Sequence, residues 1–135
     1  MNDHSCKHAI RVACIVTLIA EKENVSEDDM IRLQIAAICH DIGRTNHKSD
    51  AKHGKESAKK TMEILDEKTL DLISCHSIAD SRFKKNPNRK LISILKDADA
   101  LDRVRTSDLD TKYLRLNSSH TLIEKAKELW KKILT

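Results

Sequence analysis

Residues 31–43 read IRLQIAAICHDIG, and this stretch decides the fold class. Its four isoleucines recur at helical spacing. They are Ile31, Ile35, Ile38 and Ile42. Upstream, Ser26 followed by Asp29 has the form of a capping box with an acidic first turn. We therefore predict an amphipathic helix that begins after Ser26 and ends near Gly43.

The rest of the chain extends this helical pattern in both directions. We predict a first helix over about residues 5–23 that is apolar nearly all round, as expected of a central helix. Further helices are predicted after Asp50, over 67–76, after Asn88 and after Asn117. Two glycines and one proline supply too few turn residues for a many-stranded sheet. The chain is therefore predicted to be all-α, a single-domain bundle of about six helices over residues 1–135.

Composition excludes several classes of function. The three aromatic residues are too few to provide stacking platforms, so dedicated nucleic-acid binding is not expected. The longest apolar stretch, residues 9–20, contains Arg11 and is too short to cross a bilayer. Four cysteines without paired spacing, and no recognisable leader, predict reduced thiols in the cytoplasm. The net charge of +4 favours anionic partners.

Candidate metal-binding histidine and aspartate residues occur at one position on each of several predicted helices. These residues are His8, His40, Asp41, His53, His76 and Asp99. Neutral imidazole and carboxylate groups are ligands for divalent cations, and a helical bundle can project several of them toward one point. Adjacent residues on a helix point about 100° apart, so His40 and Asp41 can share an ion only near a helix end. Any one of these histidines, taken alone, is more often a core or surface group than a metal ligand.

Three motifs together resemble those of the HD superfamily of metal-dependent phosphohydrolases. They are His8-Ala9-Ile10-Arg11-Val12, Cys39-His40-Asp41-Ile42-Gly43 and Asp97-Ala98-Asp99-Ala100-Leu101-Asp102. The family pattern runs His, then His-Asp, then a distant Asp. The resemblance implies a metal held by His8, His40, Asp41 and Asp99.

His53-Gly54 and His76 resemble the extra histidine stations of HD proteins that bind two metals. In that interpretation Asp41 bridges the ions, with His53 and His76 on one side of it and the other ligands on the opposite side. The alternative is a single metal, with His53 and His76 supporting the ligands or contacting substrate. The expected cofactor is thus one or two divalent ions, with Fe, Mn, Mg, Zn, Co and Ni not distinguished.

The resemblance implies hydrolysis of a phosphoester or phosphoanhydride bond in a small nucleotide-like substrate by metal-activated water. Asp41 and Arg44 are the expected catalytic residues, and Arg44, Lys48 and Arg11 are the expected substrate-binding residues. Some family nucleotidases have a Glu at the position of Arg44, which argues against a deoxynucleotide monophosphatase. Arg44 could instead form a surface salt bridge, and Arg11 a buried ion pair between helices.

Two other classes of function stay open at this point. Some HD proteins with six ligands hold a mixed-valence di-iron centre and oxidise an organic substrate with dioxygen. A non-catalytic module that binds nucleotide is the third possibility. The sequence determines neither the substrate nor the oligomeric state.

Overall fold

A computed structural model describes residues 3–42 and 52–133, with side chains from Ser5 onward. Within these ranges the regular structure is entirely helical, which confirms the all-α class. The α-helices are α1 (Asp3–Lys22), α2 (Glu27–Cys39), α3 (His53–Thr61), α4 (Glu67–Cys75), α5 (Arg89–Leu101), α6 (Asn117–His120) and α7 (Ile123–Lys132). Short 3-10 helices lie at Asp80–Arg82, Asp102–Thr106 and Thr111–Tyr113.

Helix α1 lies at the centre of the fold and contacts α2, α5 and α7. Its buried residues include Val12, Ile15, Val16 and Ile19, all almost fully removed from solvent. Phe83 is the one buried aromatic side chain among the described residues, so the core is aliphatic. In the described part of the chain, every helix is too short or too polar to cross a membrane.

Helix α2 forms as predicted, but its isoleucines do not face the core. Leu33, Ala36 and Ala37 are fully buried, whereas Ile31 is 53% exposed and Ile38 is 44% exposed. Alanine has a small side chain, which lets α1 and α2 approach closely along this face. The four-isoleucine repeat therefore lies on the outer side of the helix.

The helix ends agree only partly with the sequence. Ser26 caps α2 as predicted, since its Oγ accepts a hydrogen bond from the Asp29 amide at 3.2 Å. Asn88 precedes α5, but its side chain makes no capping hydrogen bond; its Nδ2 donates to the Asp71 Oδ2 at 3.0 Å. The last predicted helix is divided into α6 and α7, which brings the number of α-helices in the described ranges to seven. Asp50 lies outside the described residues.

Helices α3 and α4 cross in very close contact at Gly54. A Cβ atom there would lie 2.7 Å from the Ile73 carbonyl oxygen and 2.7 Å from the Ser77 Oγ. Only glycine fits at this distance without displacing a backbone. The Gly54 amide also donates to the Ser77 Oγ at 3.1 Å. The glycine therefore allows the start of α3, with His53, to lie against the end of α4.

Candidate metal centre

The six predicted ligands converge in one cluster. They form three overlapping groups, within each of which the ligand atoms lie within 4.8 Å of one another. The groups are His8 with His40 and Asp41, His40 with His76 and Asp99, and Asp41 with His53 and His76. Each side chain comes from a different helix or helix end, except for the adjacent pair His40-Asp41. The site therefore exists only in the assembled bundle.

Asp41 occupies the middle of the cluster, with its two carboxylate oxygens turned in different directions. Its Oδ2 lies 3.5 Å from the His8 Nε2 and 3.4 Å from the His40 Nε2. Its Oδ1 lies 3.1 Å from the His53 Nε2 and 3.8 Å from the His76 Nε2. This is the arrangement of a carboxylate that can bridge two neighbouring ions.

Asp99 lies on the side of the cluster that faces the Asp41 Oδ2, and His53 and His76 lie on the side that faces the Asp41 Oδ1. The Asp99 Oδ1 lies 3.1 Å from the His8 Nε2 and 3.3 Å from the His40 Nε2. On the other side, the Nε2 atoms of His53 and His76 are 2.8 Å apart. Ligand atoms that each lie about 2.1 Å from one ion are separated from their neighbours by about 3 Å in octahedral and about 3.4 Å in tetrahedral coordination. The spacing and the donor types therefore fit divalent metal binding.

Three of the histidines have their outer nitrogen fixed by a hydrogen bond. The His8 Nδ1 lies 2.7 Å from the Asp102 Oδ2, the His40 Nδ1 lies 2.6 Å from the Ala37 carbonyl, and the His76 Nδ1 lies 2.5 Å from the Ile73 carbonyl. A proton on Nδ1 leaves the lone pair of Nε2 available for a metal. All three Nε2 atoms point into the cluster.

His40 and His76 occupy equivalent positions at the C-terminal ends of their helices. Each is the C-cap residue of its helix, α2 or α4, and each contacts the carbonyl three residues before it. The C-terminal ends of both helices therefore point at the cluster. The partial negative charge at these ends favours a cation. The turn after His40 brings Asp41 beside it, as expected for adjacent ligands at a helix end.

The pKa shifts have physical causes within the cluster. Burial lowers the pKa of His8, but the nearby carboxylates, Asp102 first, raise it more, to about 11. Burial raises the pKa of Asp41, but hydrogen bonds from His53, His76 and His8 lower it by more, to well below its usual range. Burial is the main reason that the pKa of His76 is lowered. A cation that binds at the His8 Nε2 requires the neutral imidazole, so metal binding there would release a proton.

The His8 ring contacts a buried ion pair on the side that faces away from the cluster. Asp102 is fully buried, and besides the His8 ring it accepts hydrogen bonds from the Arg11 Nε at 2.7 Å and Nη2 at 3.1 Å. The Arg11 guanidinium also donates to the Ile133 carbonyl and lies 4.9 Å from the centre of the Trp130 ring. The end of α7 therefore contacts the same ion pair that orients His8.

This contact corrects the predicted substrate-binding role of Arg11. Its side chain is fully buried, and Asp102 separates it from the ligand cluster, so it cannot reach a substrate in this conformation. The alternative interpretation, a buried ion pair between helices, agrees with the structure. Arg44 and Lys48, the other predicted substrate-binding residues, lie outside the described residues.

The sequence did not indicate the contribution of α7. The Ile133 contact uses a backbone carbonyl, which leaves no mark in a sequence, and Trp130 had no spacing relation to any ligand. The cluster opens to solvent mainly at Asp99 and Asp41, whose side chains are 34% and 18% exposed. These two carboxylates therefore mark the side from which a substrate can approach.

The architecture defines an all-α domain with a buried histidine–aspartate centre suited to divalent metal. The HD domain family model matches residues 6–104, which include every residue of the cluster and Asp102. The chain therefore belongs to the HD domain family, whose members are typically metal-dependent phosphohydrolases. No curated protein and no solved structure matches the chain.

Proposed function

We propose that this protein is a metal-dependent phosphohydrolase that cleaves a phosphoester or phosphoanhydride bond in a small nucleotide-like substrate. The observation that carries the proposal is the position of Asp41, whose Oδ2 faces His8 and His40 while its Oδ1 faces His53 and His76. Membership of the HD domain family supports the reaction type. One or two divalent ions are the proposed cofactor.

His8, His40 and Asp99 would hold an ion on one side of Asp41, and His53 and His76 a second ion on the other, with His76 also close to His40 and Asp99. A bound divalent ion supplies Lewis-acid activation of water and offsets negative charge on the phosphoryl oxygens. The hydrogen bonds at the Nδ1 atoms keep the imidazoles in the ligating orientation before any ion arrives. The chain's own contribution is thus a preorganised set of donors.

Substrate binding requires cationic groups near the exposed edge of the centre. Arg44 and Lys48 follow the His40-Asp41 motif closely in the sequence, and we assign them to the phosphate group of the substrate. A guanidinium group can bind phosphate through two parallel hydrogen bonds. A cytoplasmic location is proposed as well, because all four cysteines, Cys6, Cys14, Cys39 and Cys75, are free thiols.

The test is metal analysis of protein purified without chelators, followed by a phosphatase screen across metals and nucleotides. Asp41→Ala is expected to abolish hydrolysis and lower metal content while the circular dichroism spectrum keeps its helical form. Asp108→Ala, which removes an exposed aspartate outside the cluster, is the matched control and should keep both. A folded Asp41→Ala protein with normal turnover and metal content would refute the proposal.

The same preparation separates the two alternative functions. Oxygen consumption and an oxygen-dependent absorption change after adding ferrous iron and substrate, without phosphate release, would indicate the di-iron oxygenase. Nucleotide binding without turnover under any metal would indicate the non-catalytic module. Phosphate release that depends on the divalent ion is the expected result.

A further inference from the structure

Helix α2 and the turn after it carry a row of exposed isoleucines, which we call the isoleucine stripe. Its members are Ile31, Ile35, Ile38 and Ile42, with exposed fractions of 53%, 36%, 44% and 38%. Single exposed apolar residues are ordinary on a protein surface, but an aligned row of β-branched residues is not. The opposite face of α2 lies in the core, while the stripe stays largely exposed against the described residues.

The spacing of the stripe is that of a helix–helix seam. Successive members are separated by four, three and four residues. This alternation matches the a and d positions of a coiled coil, where isoleucine packs against a facing helix. The stripe therefore has the pattern of a surface made to contact another helix.

Helix α1 widens this surface along one edge. The Gln34 Nε2 donates to the Thr17 Oγ1 at 2.9 Å, and Gln34 lies between Ile31 and Ile38 on the same side of α2. Ile10 lies two turns before Thr17 on the same side of α1 and is 45% exposed. Since α1 runs antiparallel beside α2, Ile10 extends the apolar surface near the C-terminal end of the stripe.

The two ends of the stripe carry opposite charges. Glu27 and Asp28 lie one turn before Ile31 and are exposed. At the other end, the Lys60 Nζ donates to the Ile42 carbonyl at 3.2 Å, which places its ammonium group beside the last isoleucine. A second helix that carries the same residues and lies antiparallel on the stripe would place acidic side chains opposite basic side chains at both ends.

We propose that the isoleucine stripe is the interface of a homodimer in which two α2 helices pack antiparallel about a two-fold axis. An axis between Ile35 and Ile38 pairs Ile31 with Ile42 of the second copy and brings Lys60 near the second copy's Asp28. Such an interface is isologous, because the same surface serves both copies. The second copy is the occupant that satisfies the apolar row and both charged ends at once.

The available area is in the range of a reversible dimer. The exposed parts of the stripe and Ile10 sum to roughly 400 Å² of apolar surface per copy, more than an isolated exposed side chain contributes. Each partner of a standard interface buries about 800 Å². Thr17, Gln34 and the charged ends provide the polar remainder. Interfaces below the standard size are typical of weak, reversible association.

The test is sedimentation velocity on the full, metal-loaded chain over a concentration series. Wild-type protein should change from monomer to dimer as concentration rises. Ile38→Glu should raise the dissociation constant by about a hundredfold or more, because each dimer loses two buried isoleucines and gains two charges. Ile64→Glu is the matched control, since Ile64 is 80% exposed and lies outside the stripe. Circular dichroism verifies folding, and Ile38→Gln serves if the glutamate variant fails to fold.

A charge reversal tests the antiparallel arrangement. Lys60→Glu should weaken the dimer by about tenfold, and adding Asp28→Lys in the same chain should restore it. A wild-type chain that stays monomeric at every concentration would overturn the proposal. The same holds if Ile38→Glu dimerises normally, if Ile64→Glu weakens the dimer equally, or if the double charge variant does not recover.

Discussion

Asp102 is expected to determine metal affinity without being a ligand, and replacing it with asparagine isolates this effect. The carboxylate is fully buried, lies 2.7 Å from the His8 Nδ1 and accepts two hydrogen bonds from Arg11. Asparagine keeps the shape but removes the charge. It leaves the buried guanidinium without its ion-pair partner and the His8 ring without a carboxylate acceptor.

Two magnitudes follow from these contacts. Removing one member of a buried ion pair costs on the order of 3 kcal/mol of unfolding free energy. Losing the carboxylate behind a ligating histidine lowers metal affinity about 10- to 100-fold. Both effects are expected in Asp102→Asn, with the first measured by urea unfolding of metal-free protein and the second by calorimetric metal titration under conditions where the variant is folded.

Asp97→Asn is the matched control for this experiment. Asp97 is also a fully buried aspartate on α5, and it contacts the Arg115 and Leu116 amides, the Arg115 guanidinium and the Ser119 hydroxyl, but none of the proposed ligands. Its replacement should lower stability by a similar amount and leave the metal affinity of the folded protein unchanged. The reasoning is refuted if Asp102→Asn binds metal with wild-type affinity, or if both variants weaken binding equally.

Substitutions at three further positions probe the remaining parts of the site. Gly54→Ala should separate α3 from α4, destabilise the protein by about 1–3 kcal/mol and reduce the bound metal from about two ions to one. His53→Ala should reduce the bound metal in the same way without the loss of packing. Atomic emission analysis gives the metal-to-protein ratio, and two ions in both variants would contradict the prediction. Arg44→Ala should lower kcat/KM by about ten- to hundredfold, mainly through KM, because it loses a charge-assisted phosphate contact; steady-state kinetics with metal content checked decide it, and Arg44→Lys should recover only part of the loss.

The clustering of the proposed ligand residues was predictable because motif spacing and helix position point the same way. His8, His40, Asp41 and Asp99 belong to a motif pattern, and each also falls on a predicted helix or at its end. The clustering of His53 and His76 with Asp41 was expected from resemblance, and the cluster contains both.

What sequence could not provide is the side of each helix that meets its neighbours. Along α2, both the isoleucine repeat and the set Leu33, Ala36 and Ala37 are apolar, and only packing against α1 decides which set is buried. Periodicity in the sequence shows that a helix has an apolar face, whereas the burial of that face depends on contacts with residues distant in the chain. Arg11 was misassigned for the same reason, since its partners are Asp102 and the backbone at Ile133.

The distance in sequence between the proposed ligands has a consequence for protein synthesis. His8 is synthesised well before Asp99, and the Ile133 carbonyl that contacts Arg11 is synthesised later still. A nascent chain therefore lacks the complete set of proposed ligands until Asp99 has been added, and domains fold as units during synthesis. Contact of one ion with both His8 and Asp99 therefore requires the chain at least as far as Asp99.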